Sequence, residues 1–157
     1  MDARVPFSAY HDVVKPEWID YNGHMNVAHY VAVFDQATDC FLHNLNMGPD
    51  YVRDAQHSAF VVDMNVAYRR ELQLHAPFYI TTQLLDFDAK KLRIYHQLFH
   101  EQEGYLAATN ELLLVHVNLA SRRSNPFPPK IVVSLEKMAR QHRSLEMPDG
   151  VGRLLSL

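Results

Sequence analysis

The sequence predicts an α+β domain in which an antiparallel sheet wraps one long helix. Three observations predict it. Apolar residues recur at helical spacing from Val27 to Leu45, the hydrophobic period drops to two after Ser58, and turn residues separate the later apolar runs.

A short first strand is expected over about residues 9–16, stopping at Pro16. In the helix, Val27, Tyr30, Val31, Phe34, Ala37, Phe41 and Leu45 form the stripe, and Val31, Ala32 and Val33 widen it. Its first half is therefore apolar nearly all round and needs cover on most sides. Gly48-Pro49 closes it. Next, Phe60, Val62, Met64, Val66 and Tyr68 alternate with Val61, Asp63, Asn65, Ala67 and Arg69, which reads as a strand with one buried face. A second strand of this meander covers about Phe78–Phe87, and the run from Asp86 to Lys91 makes the turn into a third, about Leu92–His100. Gly104 serves the next turn. The last strand covers about Tyr105–Leu119, and its Leu112–Val115 run is apolar on both faces, as in a central strand or one covered by another subunit. Asn125-Pro-Phe-Pro-Pro129 breaks regular structure, and a short C-terminal helix is expected from Ser134, its cap.

With 157 residues, 48% of them hydrophobic and 21% charged, the chain suits one globular domain over 1–157, with a core at about 9–120 and a C-terminal extension at about 121–157. A net charge of −3 gives no reason to expect nucleic acid or an anionic membrane as partner. No apolar run approaches the ~20 residues that span a bilayer, and the N-terminus lacks the apolar segment of a signal peptide. The lone Cys40 excludes an internal disulfide, so a cytoplasmic protein is expected. The ten histidines are scattered without ligand spacing, so no metal is expected.

The chemistry concentrates between Trp18 and Tyr30. Asp20, Asn22, His24 and Asn26 occupy every second position of a loop at the start of the long helix. A helix start offers unpaired N–H groups and the positive end of a dipole, so negative charge developing there is stabilised. A carboxylate, two amides, an imidazole and such a helix start are what attack on an acyl carbonyl requires. The same residues also form turns, and Asn26 would serve simply as an N-cap. Turn chemistry does not ask for the histidine.

The order of elements, with Asp20 ahead of the enclosed helix, resembles the hotdog-fold thioesterases of the 4-hydroxybenzoyl-CoA type. The fuller pattern Asp20-x-Asn22-x-His24-x-Asn26 with Tyr30 is similar to plant acyl-ACP thioesterases, as is Tyr68-Arg69-Arg70-Glu71 apart from the cysteine those enzymes carry next. The likeness extends to the betainyl-CoA thioesterases of bacterial carnitine breakdown, through residues 18–25, 87–92 and 104–111. This resemblance implies an acyl-CoA thioesterase without a cofactor, a homodimer or homotetramer whose sites form between subunits. It assigns Asp20, Asn22, His24 and Glu71 to catalysis. Asp20 would attack the carbonyl directly or orient its neighbours while another group activates water, with Glu71 as second carboxylate. Burial would raise the pKa of Asp20 if it acts as a base.

Backbone N–H groups at Gly23, His24 and Met25, with Asn26, would hold the oxyanion. A trimethylammonium acyl group asks for aromatic faces, for which Trp18, Tyr21 and Tyr30 are candidates, joined by Tyr68 or Asp63 from the strand. Lys90, Lys91 and Arg93 are candidates for the CoA phosphates. The alternatives are a hotdog enoyl-CoA hydratase, whose Asp-x-Asn-Pro-x-His signature is one residue longer, and a non-catalytic acyl-CoA-binding module. Glu71 has its own plainer reading, a pairing with Arg69 or Arg70.

Overall fold

A computed structural model describes residues 6–156; the ends of the expected domain, residues 1–5 and 157, lie outside the described residues. Strand β1 (Phe7–Val13) leads through a 3-10 turn (Pro16–Trp18) to helix α1 (Val27–Asn44). A short helix α2 (Pro49–Ala55) precedes β2 (His57–Tyr68), β3 (Pro77–Phe87), β4 (Lys91–His100), β5 (Leu106–Asn118) and the two-residue β6 (Arg123–Ser124). Helix α3 (Pro129–His142) follows. All pairings are antiparallel, in the order β1-β3-β4-β5-β2, with β6 on β5.

The sheet curls around α1 as its apolar stripe demands. Phe34, Phe41 and Leu45 are buried at the centre of the contact. Burying one such side chain contributes roughly 1.5–3 kcal/mol. One core cluster joins the first half of α1 to Val14, Phe78, Ile80 and Leu98. A second joins Phe41, Leu42 and Leu45 to Leu84, Leu92, Ile94, Leu112 and Leu114, closed by Ile131, Leu135 and Met138 of α3. His96 belongs to the middle of the sheet. Its Nε2 lies 2.9 Å from the Thr38 hydroxyl and its Nδ1 2.8 Å from that of Thr82, while Phe34 stacks on the ring. Burial holds its pKa down to about 3, so the imidazole is neutral.

Three expectations need correction, and a fourth is narrowed to one of its alternatives. Gly48-Pro49 does not end α1: the helix stops at Asn44, closed by a left-handed Asn46 with a φ of 62°, and Pro49 instead opens α2, where its missing N–H costs nothing. The C-terminal helix begins at Pro129, not Ser134, because proline at a first helical position starts a helix rather than breaking one. Ser134 sits inside that helix, its hydroxyl donating to the Lys130 carbonyl. Strand β2 lacks a fully buried face: Phe60, Val62, Met64 and Tyr68 are 38%, 56%, 42% and 46% exposed. The cause is its position, since β2 is an edge strand and α1 packs toward β1 and β3. A bulge between Val61 and Asp63 also breaks its alternation. The Leu112–Val115 run belongs to an interior strand: Leu112 and Leu114 are buried under the helices, whereas Leu113 and Val115 are half-buried on the outer face.

Candidate active site

The loop before α1 folds back on itself through a bridge between Ile19 and Met25. The Asp20 N–H donates to the His24 carbonyl and the Gly23 N–H to that of Asp20, a turn that gives Gly23 a φ of 81°. Asn26 caps α1, its Oδ1 accepting from the Ala28 N–H at 2.9 Å. With that oxygen committed, its Nδ2 points back and donates to Asp20 Oδ2 at 2.9 Å. Asp20 Oδ1 accepts from the Asn22 N–H at 2.8 Å.

Those two donors, the Asn22 N–H foremost and then the Asn26 amide, hold the Asp20 carboxyl below the usual carboxylate range. This reverses the expectation of a pKa raised by burial. Asp20 is an ionised, oriented carboxylate, suited to attack or electrostatic stabilisation and poorly suited to general-base work.

His24 faces another way. Its Nδ1 lies 3.1 Å from the Met25 carbonyl, which only accepts, so Nδ1 carries the proton. Nε2 is left toward Glu71, 3.7 Å from Oε2. That distance is an ion-pair contact when the ring is protonated and too long for a hydrogen bond. Glu71 Oε1 accepts from Gln73, and Arg70 reaches Glu103 instead, so the structure does not show the plainer pairing of Glu71 with an arginine.

His24, Met25, Val27, Tyr30, Tyr68 and Glu71 line an open pocket of about 170 Å³, with Arg69 and Arg70 at its border. Tyr30 and Tyr68 meet edge to face, ring centres 5.2 Å apart. Both hydroxyls are fixed: that of Tyr30 accepts from the Leu72 N–H, and that of Tyr68 donates to the Val27 carbonyl. Burial pushes the Tyr30 phenol up to about 12, so it stays neutral.

The structure thus forms two groups from the expected residues, Asp20 with Asn22 and Asn26, and His24 with Glu71, Tyr30 and Tyr68. Gly23 and Met25 do not present free N–H groups, because these donate to Asp20 and Leu72. Among the described residues the N–H groups of His24 and Val27 donate to nothing, and Val27 begins α1. Trp18 stacks on His29 and already carries Lys15 over its ring at 4.9 Å. Tyr21 is 97% exposed.

Within one chain, Lys90, Lys91 and Arg93 stay away from the loop. Lys90 sits in the β3–β4 turn, its carbonyl accepting from the His116 N–H, Lys91 begins β4, and Arg93 pairs with Asp86 and Glu111. Asp63 lies outside the pocket on β2. A cleft of about 350 Å³ that sequence reading missed adjoins Glu71 and includes Arg70, His75, His100 and Tyr105. Arg70 lies over the Tyr105 ring at 3.9 Å. The one signal for this cleft in the sequence is the Tyr68–Glu71 segment, whose Arg70 and Glu71 both line it.

Residues 14–135 match the thioesterase-like superfamily. The chain belongs to that superfamily. It is 36% identical over 150 residues to a betainyl-CoA thioesterase of Pseudomonas aeruginosa, covering 96% of this chain and 94% of that protein. It is also 31% identical to an L-carnitine dehydrogenase/betainyl-CoA thioesterase of Rhizobium meliloti, matching 98% of this chain and 31% of that longer one. Among solved structures, a Staphylococcus aureus protein in complex with CoA superposes with a TM-score of 0.90 at 25% identity, covering 100% of this chain and 99% of its own. This thioesterase-like chain is therefore a hotdog fold, as its curled sheet and enclosed helix indicate.

Proposed function

We propose that this member of the superfamily is a cytoplasmic acyl-CoA thioesterase that hydrolyses betainyl-CoA to betaine and CoA, a step of carnitine degradation. The observation that carries the chemistry is Asp20, ionised and oriented by Asn22 and Asn26 at the head of α1. Its oxygen attacks the thioester carbonyl, the C–S bond breaks, and CoA leaves as thiolate. Water then hydrolyses the anhydride, releasing betaine and restoring Asp20. The N–H groups of His24 and Val27 supply oxyanion donors at a helix start, an effect worth roughly 3–4 kcal/mol per donor in well-formed sites. His24 Nε2, beside Glu71, gives and takes the protons.

The acyl assignment has support from the relatives' names and from the pocket. A trimethylammonium cannot donate N–H hydrogen bonds and is held by aromatic faces with a carboxylate near. Tyr30 and Tyr68, locked by their hydroxyls, with Glu71 at the rim, meet that demand. Trp18, already paired with a cation, does not.

A homodimer is part of the proposal. Strand β2 keeps one edge free and leaves Val62, Met64 and Tyr68 exposed beside the pocket end of α1. A second copy adding its own β2 would cover them and bring further groups to the site.

Thiol release from a panel of betainyl-, acetyl-, butyryl-, 4-hydroxybenzoyl- and palmitoyl-CoA tests the reading. Betainyl-CoA is expected to lead in kcat/KM by tenfold or more, and Tyr68→Leu should remove that lead while sparing butyryl-CoA. A tenfold preference for a neutral acyl group rejects the betaine assignment alone. Absence of thiol release from every ester rejects the hydrolase.

A further inference from the structure

Gln83, Tyr95, Glu111 and Asn65 stand in a single row across the sheet. Gln83 pairs with Tyr95, Tyr95 with Glu111, and Glu111 with Asn65. The chain beyond α3 follows this row over the outer face. Gln83 donates to the Glu146 carbonyl at 3.3 Å, and the Tyr95 hydroxyl to that of Asp149 at 3.0 Å. The Gly152 N–H donates to the Glu111 carboxylate at 2.7 Å. Asn65 then donates to the Arg153 carbonyl at 2.7 Å, and the Arg153 guanidinium returns to Asn65 Oδ1 at 2.8 Å. Gly150 makes the close passage possible: its φ is 93°, and a Cβ there would come within 3.3 Å of the Tyr95 hydroxyl.

This strap visits β3, β4, β5 and β2 in spatial order, so at Arg153 it has reached the free edge of the sheet. Strands lie about 4.8 Å apart, and a residue or two of extended chain covers that step. Leu154 and Leu155 come next. They are 85% and 91% exposed, two apolar side chains at the edge where β2 itself exposes Phe60 and Val62. An unpaired edge and exposed leucines at one place are what a second strand and its outer face would cover.

We infer that Leu154 and Leu155 form an arm that crosses onto the outer face of a second copy's β2 and clasps a dimer joined edge to edge along that strand. The inference rests on the dimer proposed above. Two-fold symmetry makes the clasp reciprocal, each arm crossing the junction onto the other subunit. Antiparallel pairing about the middle of His57–Tyr68 sets Asn65 opposite Phe60 of the partner subunit. Phe60 shares the outer face with Asn65, because its β5 neighbour Val115 lies four residues from Glu111 on the same face. The strap therefore points at an apolar landing place.

The experiment is sedimentation velocity over a dilution series on three proteins: the full chain, a chain ending at Arg153, and a Leu154→Ser/Leu155→Ser double variant. Both changes leave the strap intact and remove almost no contact within one protomer. The full chain is expected to be a dimer, and each variant to dissociate at a concentration tenfold or more higher. Thiol release per subunit should be unchanged where the variant is dimeric, and circular dichroism should match the parent. Variants that dimerise as tightly as the full chain overturn the arm and leave the dimer standing. A full chain that sediments as a monomer of 18.2 kDa overturns both.

Discussion

The two ends of α1 were built for different purposes. At the far end, Phe41 and Leu45 are almost wholly excluded from solvent, packed by Leu92, Ile94, Leu114 and the α3 residues Ile131 and Leu135. At the near end the same helix starts from a polar loop whose Asp20 and His24 are half-buried, beside two open pockets. A helix of 18 residues is about 27 Å long, so a change at one end need not be felt at the other. The far end supplies cohesion. The near end keeps polar groups partly wet and prepositioned, which costs stability locally and is tolerable only because the far end is dry.

The sharpest way to break this contrast is to remove the near-end charge. Asp20→Asn keeps an oxygen that can accept from the Asn22 N–H, but its amide then faces the Asn26 amide, and no carboxylate remains to attack. Turnover should fall by a factor of about 1,000 or more, equal to roughly 4 kcal/mol in the barrier, while the folded state persists. Steady-state kinetics beside a thermal melt checks it. Wild-type kcat in the folded variant would take Asp20 out of the mechanism. Phe41→Ala is the converse. Deleting a fully buried aromatic ring should cost about 3–5 kcal/mol in a urea titration and leave kcat/KM of the folded fraction within about twofold. A loss of activity that tracks Phe41 without a loss of stability would mean that the two ends are coupled.

How much of this was legible in the sequence follows from the range of each cause. The long helix and the four later strands show because their periods repeat over ten residues or more, whereas the expected four-strand meander does not hold, since β2 pairs with β5 and only β3, β4 and β5 follow one another in the sheet. Helix α2 does not, since seven residues are too few to establish a period. The exposure along β2 is not legible because alternation records which residues are apolar and says nothing about what covers them, nor about the bulge that turns Phe60 to the outer face. Here the cover depends on α1 lying toward β1 and β3. In the site, the Asp20–Asn26 pairing is local, and the run of polar residues at every second position signalled it. The meeting of His24 with Glu71 spans 47 residues and came only through family likeness. The strap was invisible: residues 143–156 carry no period, and their register on the sheet is set by single hydrogen bonds to side chains far away in sequence.

The smallest effect separates the two ends by pH. His96 is buried neutral with a pKa of about 3, against 6.5 in the unfolded chain. Between those values the unfolded state binds the extra proton, so its contribution to stability is complete above pH 6.5 and declines as pH falls. Burial also lowers the pKa of His116 and His142, which act in the same direction from the far half of the molecule. Asp20 behaves oppositely. Its folded pKa lies below the ordinary carboxylate value, so its contribution is retained through this window and lost only in stronger acid, as pH falls through that depressed value. Going from pH 7 to 5 should therefore remove about 2 kcal/mol through His96 alone, the slope approaching 1.36 kcal/mol per unit once the unfolded imidazole is protonated. The near-end carboxylate stays charged throughout. Urea titrations at pH 7, 6 and 5 measure the slope, and His96→Gln should flatten it by about one proton. An unchanged midpoint from pH 7 to 5 would show that the buried imidazole does not govern acid sensitivity.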